Sequence, residues 1–310
     1  MSTSVVGSAL FPVMLVIALA FIIRRIGLVS DVHVAGVERV TYVVFFPTLL
    51  FSNLSTASFD DPAVWTLALL LAGTHLTVGI ITWVFYTRSS LDGPSATSAF
   101  QGANRFNSYI VLALAFAVYG ATGVQQITVP MALMIITINI LCVSILARYG
   151  APEEGVEAPS LVKALATNPL ILACAAGLAV NPLGIDWPGP VDTAFGWFGT
   201  AAIALGLFAV GAGLRPISGK GSLFAIASSS IIKLVALPAL FLLLAYLVGL
   251  PRDLAALGLI ATIVPGATSS YILARQLGGN APLMAQSVTV GTVLSAATVT
   301  LWFVLWPHLY

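Results

Sequence analysis

The sequence predicts an all-α membrane protein with ten transmembrane helices in two inverted five-helix repeats, the fourth helix of each repeat (helices 4 and 9 of the chain) being broken. Three observations predict it: an oily composition, a count of apolar runs, and polar interruptions at matched places in the two halves. Of 310 residues, 59% are hydrophobic and 7% charged, with a mean hydropathy of +1.04. Soluble domains carry about 25% charged residues. A net charge of +1 gives nucleic acid nothing to bind. The runs are continuous rather than alternating, which argues against a β-barrel.

Crossing a bilayer as a helix takes about 20 apolar residues. Ten such spans are read at 5–23, 34–56, 63–86, 95–119, 124–147, 161–180, 190–214, 222–248, 254–277 and 281–306. The first is expected to stay in place. "MSTSVVGSALF" lacks a basic leader, and "IIRRIG" offers no small-residue cleavage site. Connections after spans 1, 3, 5 and 7 carry Arg24 and Arg25, Arg88, Arg148 and Lys163, then Arg215 and Lys220. Those on the other side carry Asp60 and Asp61, then Asp186 and Asp192, then Arg252 with Asp253. The bias puts the basic loops in the cytoplasm and both termini outside. This predicts a multi-pass protein of the cell membrane, the inner membrane if bacterial.

The longest polar connection, "RYGAPEEGVEAPS" at 148–160, divides the chain into residues 1–150 and 151–310 with five spans each. An odd number of spans per half makes the second half enter from the opposite side, the condition for an inverted repeat. The string "SYI" occurs at Tyr109 and again at Tyr271, 162 residues later. Both copies fall in the fourth span of their half.

Those two spans are interrupted. In "TIVPGATSSYILARQLGG", Pro265 removes a backbone donor, frees the carbonyl near Ala261 and biases Val264 away from helix. Gly266 adds freedom, and Thr268 and Ser269 suit the cap of a new half-helix. In span 4, "FQGANRFNSYI" gathers Gln101, Gly102, Asn104 and Asn107, whose amides compete for backbone bonds and cap helices. Paired interruptions of this kind point to a transporter's binding site; the plainer alternative is two kinked helices bonding their neighbours.

Arg105 and Lys233 lie inside spans 4 and 8, each at a cost of about 3 kcal/mol at mid-membrane. None of the acidic residues (Asp31, Glu38, Asp60, Asp61, Asp92, Glu153, Glu154, Glu157, Asp186, Asp192, Asp253) lies near the middle of a span, Glu38 coming closest. The expected site is therefore cationic, without an internal carboxylate, and either backbone carbonyls and water or an anionic ligand would satisfy the cations. Two readings stand for each cation: Lys233 supplies charge or donates to carbonyls freed by a break, and Arg105 supplies charge or snorkels to an interface. His75 serves a proton relay or hydrogen-bonded packing. Asn139 lines a cavity or bonds an adjacent helix. Arg275 and Gln276 are expected at the cytoplasmic interface. Cys142 and Cys174 have no metal-type spacing and read as small hydrophobes; no metal or cofactor is expected.

Several strings, in order along nearly the whole chain, resemble the auxin efflux carrier family, which spans plant auxin exporters and bacterial organic-acid carriers and is related to bile acid symporters. They are "FIIRRIGLVSD" and "VTYVVFFPTLLFSNLS" with Pro47, "NPLILACAAGLAVN", "TAAIALGLFAVGAGL", "IIKLVALPALF" with Lys233 and Pro238, and "VPGATSSYILA". The resemblance implies that helices 1, 2, 6 and 7 form a scaffold, commonly a homodimer contact. Helices 3–5 and 8–10 would form a transport unit that moves like an elevator, with broken helices 4 and 9 crossing at a site for organic anions. The chain departs from the family at Val111–Ala113, where glycine-leucine-proline is usual, and at Ala204, where a proline is usual. The helix 4 break therefore rests on Gly102 and the asparagines.

The expected function is a secondary carrier of a small organic anion, auxin-like or dicarboxylate, exported without a carboxylate-based ion site. Its carboxylate would meet Asn104, Asn107, Ser108, Thr268 and Ser269, with Arg105 or Lys233 for charge, Asn139 nearby, and Tyr109, Pro265 and Tyr271 shaping the pocket. Alternatives are a sodium-coupled symporter, separated by sodium dependence, and a ligand sensor on a carrier fold, separated by transport with purified protein. A retinal pigment would need seven spans and an internal counter-carboxylate. An enzyme would need more than a lone His75.

Overall fold

A computed structural model describes residues 3–57, 61–151, 161–215 and 222–310. Asp60 and Lys220, used above for loop charge, and the acidic residues Glu153, Glu154 and Glu157 lie outside them. The described residues contain helices and no strand. Six stretches are long and apolar enough to cross a membrane: Asp31–Ser55, Pro62–Thr87, Gly93–Tyr149, Gly189–Gly213, Leu223–Leu247 and Ala281–Leu309. The coarse expectation of a multi-pass helical membrane protein is met. Predicted spans 4 and 5 lie together within Gly93–Tyr149. Span 1 falls on α1 (Thr3–Arg25), and spans 6 and 9 fall on pairs of shorter helices.

α2 (Asp31–Ser55) and α9 (Leu223–Leu247) each contain a π-helical turn, at Thr41–Phe45 and Ile232–Ala236. Each turn runs just ahead of a proline, Pro47 or Pro238, which cannot donate to the ladder. In α9 the carbonyl four residues before the proline, Leu234 O, instead accepts from the Trp302 indole at 2.8 Å. α3 (Pro62–Thr87) and α4 (Gly93–Asn104) start on aspartate caps: Asp61 accepts from Ala63 N at 2.8 Å and Asp92 from Ser95 N at 2.7 Å. A proline follows in the first turn of each, a strong start signal.

α5 runs from Ser108 to Tyr149, and Gly93–Tyr149 as one rod would be about 85 Å long against a hydrocarbon core of about 30 Å. It is not a rod. Helix stops at Arg105–Asn107, and Gly120 takes φ 63°, ψ −154°. A Cβ placed on Gly123 would lie 2.7 Å from the Ala115 carbonyl oxygen, eight residues back, where a straight helix would leave roughly 12 Å. The chain therefore doubles back at Gly120, between the ends of predicted spans 4 and 5.

The remaining helices are α6 (Leu161–Ala166), α7 (Pro169–Val180), α8 (Gly189–Gly213), α10 (Arg252–Ile263), α11 (Ser269–Gln276) and α12 (Ala281–Leu309). α1 packs on α8, and α2 on α7 and α8. α3 packs on α5 and α9, α4 on α9 and α12, and α5 on α10. Asn181 donates to the carbonyls of Leu54, Ser55 and Ala57 (2.8–3.2 Å) and so closes the end of α2. The core is apolar and continuous across both groups of helices.

Gly120→Ala is expected to destabilise by about 1–2 kcal/mol, because an L side chain is strained at this φ. Gly73→Ala, in α3 with open space around its Cβ, is expected to be neutral or to stabilise by up to about 1 kcal/mol. Thermal unfolding of the two variants in detergent checks both.

Candidate functional site

The two helix breaks meet. α4 ends at Asn104, and Arg105, Phe106 and Asn107 are extended before α5 begins; α10 ends at Ile263, and Val264–Ala267 lead to α11. The Asn107 N–H donates to the Pro265 carbonyl at 2.9 Å, a backbone bond across the crossing. On the α4–α5 side the break needs no proline. Asn107 turns its Oδ1 onto the amides of Tyr109 (3.1 Å) and Ile110 (3.2 Å), an N-cap that restarts the helix. Gly102, expected at the break, instead lies inside α4. A Cβ there would press on Ser229 at 3.1–3.2 Å, so its role is close packing against α9.

One side of the crossing opens into a cavity of about 650 Å³. Its floor is made by buried Phe106, Asn107 and Tyr109 with Ile135, Ile138 and Leu170. Its rim includes exposed Arg39, Lys163 and Gln276. Arg105, Ser108, Asn139, Thr268 and Ser269 also line it. Three helices begin here, α5, α7 and α11, each presenting the positive end of its dipole. α7 is capped by Asn168, which accepts from Leu170 N (2.9 Å) and Ile171 N (3.4 Å).

Arg105 spans the crossing. Its Nη1 donates to Asn139 Oδ1 and its Nη2 to Ser269 Oγ, both at 3.4 Å, the long end of hydrogen bonding. Arg105 Nε and Asn107 Nδ2 are buried and have no acceptor among the described residues. Arg105 also has no carboxylate within ion-pair distance among them. Two N–H donors on one three-residue break thus lack acceptors, where buried polar groups are ordinarily paired.

Seven expected residues therefore gather at this cavity: Arg105, Asn107, Ser108, Tyr109, Asn139, Thr268 and Ser269. Four do not line it. Asn104 turns away, its Nδ2 donating to Thr82 Oγ1 (2.8 Å) and Phe100 O (2.9 Å). Lys233 lies buried on the far side of the crossing and donates from Nζ to Thr262 O at 3.0 Å, one residue from the carbonyl expected to be freed by Pro265. With Pro265 and Gly266 it borders a void about the size of one water. Tyr271, though an echo of Tyr109, is 37% exposed. Tyr109 is buried, and its ring packs on Gly206 of α8, where a Cβ would come within 2.3 Å. His75, also outside the cavity, is buried with Nδ1 bonded to Leu71 O at 2.8 Å.

Sequence reasoning missed Tyr42, Asn168 and Lys163 as lining residues, and it excluded a carboxylate. Glu38 lines the cavity and accepts from Thr268 Oγ1 at 3.3 Å. The expectation of a site without a carboxylate is corrected: Glu38 is near the start of α2 along the chain, but the helix faces the cavity there. Thr268, at the cap position of α11, has helical backbone angles and makes no side-chain cap bond. The signal for Asn168 was present, since asparagine followed by proline marks a helix start.

A family profile described as "Membrane transport protein" matches residues 5–303. Among curated relatives, a protein of Rhizobium meliloti (strain 1021) named "Putative malonate transporter" is 26% identical over 274 residues, covering 84% of this chain and 83% of that protein.

Asn107→Ala is expected to cost about 1 kcal/mol of stability through the lost cap. Asn107→Asp, which keeps the accepting oxygen and removes the free donor, is expected to retain it. Thermal unfolding separates the two.

Proposed function

Because the chain belongs to the membrane transport protein family, we propose that it is a secondary carrier of a small organic anion bearing one or more carboxylates. The observation that carries this reading is Arg105, a guanidinium that lines the cavity at the crossing and has no carboxylate within ion-pair distance among the described residues. A carboxylate is acceptor-only and matches an arginine fork. Ser108, Thr268, Ser269 and Asn139 would complete its polar surround, and Arg39 and Lys163 at the rim would draw anions in. The malonate in a relative's name supports a dicarboxylate as the first candidate. Lys233, off the cavity, would act by holding the α10 end in place rather than by touching substrate.

The reading comprises ten passes, five in residues 1–150 and five in 151–310. The doubling-back at Gly120 supports separate passes within Gly93–Tyr149, and the two broken passes each open with a 12-residue half-helix, Gly93–Asn104 and Arg252–Ile263. In this arrangement α1, α2 and the α6–α8 segment are the scaffold, and the dimer forms through it. α3–α5 and α9–α12 move as one body against it, carrying the crossing from one side to the other as an elevator. In this reading the face where Tyr109 packs on Gly206 would be the sliding one. Both termini would lie outside the cytoplasm, with the Arg39–Lys163 rim inside. An anion leaving the cell gains about 2.3 kcal/mol per net charge per 100 mV, so the potential favours export.

Purified protein is expected to gain about 2.7 kcal/mol of stability with a bound carboxylate at 100 times its dissociation constant. The panel would hold malonate, monocarboxylates and an indole carboxylate, each with and without sodium. The gain is expected to vanish in Arg105→Ala and Asn107→Asp. In vesicles, malonate flux is expected to follow an imposed potential; malonate flux indifferent to it would overturn export driven by voltage.

A further inference from the structure

We propose that Glu38 is a proton-coupling group: when an anion occupies the cavity, Glu38 takes up a proton from the solvent at the rim. The inference rests on the anion-carrier reading above. Glu38 lines the same cavity as Arg105 and Asn107, and its Oε1 is held by the hydroxyl of Thr268, next to Ser269 at the start of α11. It has no ion pair among the described residues. A substrate carboxylate drawn to the crossing thus enters a cavity that already holds a carboxylate in contact with the adjoining residue. Like charges in one confined site cannot both stay ionised without cost, and a proton on one removes the repulsion.

Each group that faces Glu38 leaves it as the group that responds. From its own helix come Arg39 and Tyr42, from the α4–α5 break Arg105 and Tyr109, and from α6 Lys163. α7 contributes the neutral Asn168 and α11 Thr268 and Gln276; Arg275 of α11 does not line the cavity. α8, which packs on α2, carries a titratable side chain only at Asp192 in its first turn. That end lies by Ser55, which accepts from Trp187 just ahead of α8, at the opposite end of α2 from Glu38. Glu38 is the one carboxylate among the described residues that line the cavity. The balance is simple: one solvent proton and one anion enter, and Glu38 becomes the neutral acid. A dianion then crosses with one net negative charge and a monoanion with none.

The test is calorimetric titration of malonate into the purified protein in two buffers of different ionisation enthalpy, which counts protons taken up. Wild type is expected to take up as much as one proton per malonate, with affinity falling by up to about tenfold per pH unit as pH rises. Glu38→Gln, which keeps the acceptor for Thr268, is expected to bind malonate with no uptake and no such pH dependence. Glu38→Asp is expected to restore uptake, so a fold defect in one variant does not decide the matter. Binding to wild type without proton uptake would overturn the inference and leave the carrier reading intact. Uptake undiminished in Glu38→Gln would overturn it too, placing the proton on the ligand. Failure of wild type to bind malonate or any other carboxylate of the panel would overturn both.

Discussion

The bond from Asn107 N–H to the Pro265 carbonyl is the constraint on which the site depends. Inside a bilayer each backbone group must find a partner in protein, and an unpaired one costs several kcal/mol. Breaking two helices at one depth frees donors and carbonyls where water cannot serve them. Crossing the breaks lets each serve the other, and nearby side chains take the remainder: Asn107 Oδ1 on two amides of α5, and Lys233 Nζ on Thr262 O. The same economy holds away from the crossing, where Trp302 covers the carbonyl released by Pro238. Displacing either break alone would strand the other's backbone partner.

This explains why the break regions were legible and the individual roles were not. Pro265–Gly266 announces a break through chemistry local to the backbone. Asn107 likewise advertises a cap in the residue itself, and no proline is needed at Arg105–Asn107 because a capping side chain and the carbonyl of the other break suffice. The membrane class and the turn at Gly120, between the ends of two apolar runs, rest on equally local properties. Side-chain destinations depend on which helices meet. Lys233 and Arg105 were indistinguishable along the chain, yet one faces the cavity and the other the back of the crossing. Tyr109 and Tyr271 share a tripeptide, but only Tyr109 has Gly206 and Phe46 against which to lie. Glu38 was discounted by its depth in α2; lateral position, which chain spacing does not encode, brings it to Thr268.

Arginine rather than lysine at residue 105 follows from the geometry of the break. The guanidinium reaches Asn139 on the far arm of α5 with one terminal nitrogen and Ser269 on α11 with the other, while Nε stays without an acceptor. An ammonium is a single point and would not hold two partners on different helices in a fixed plane. Both contacts are long at 3.4 Å, so each holds its terminal N–H weakly. Glu38 shares the cavity, yet its carboxylate is held by Thr268 and not by Arg105, so the guanidinium stays turned to Asn139 and Ser269.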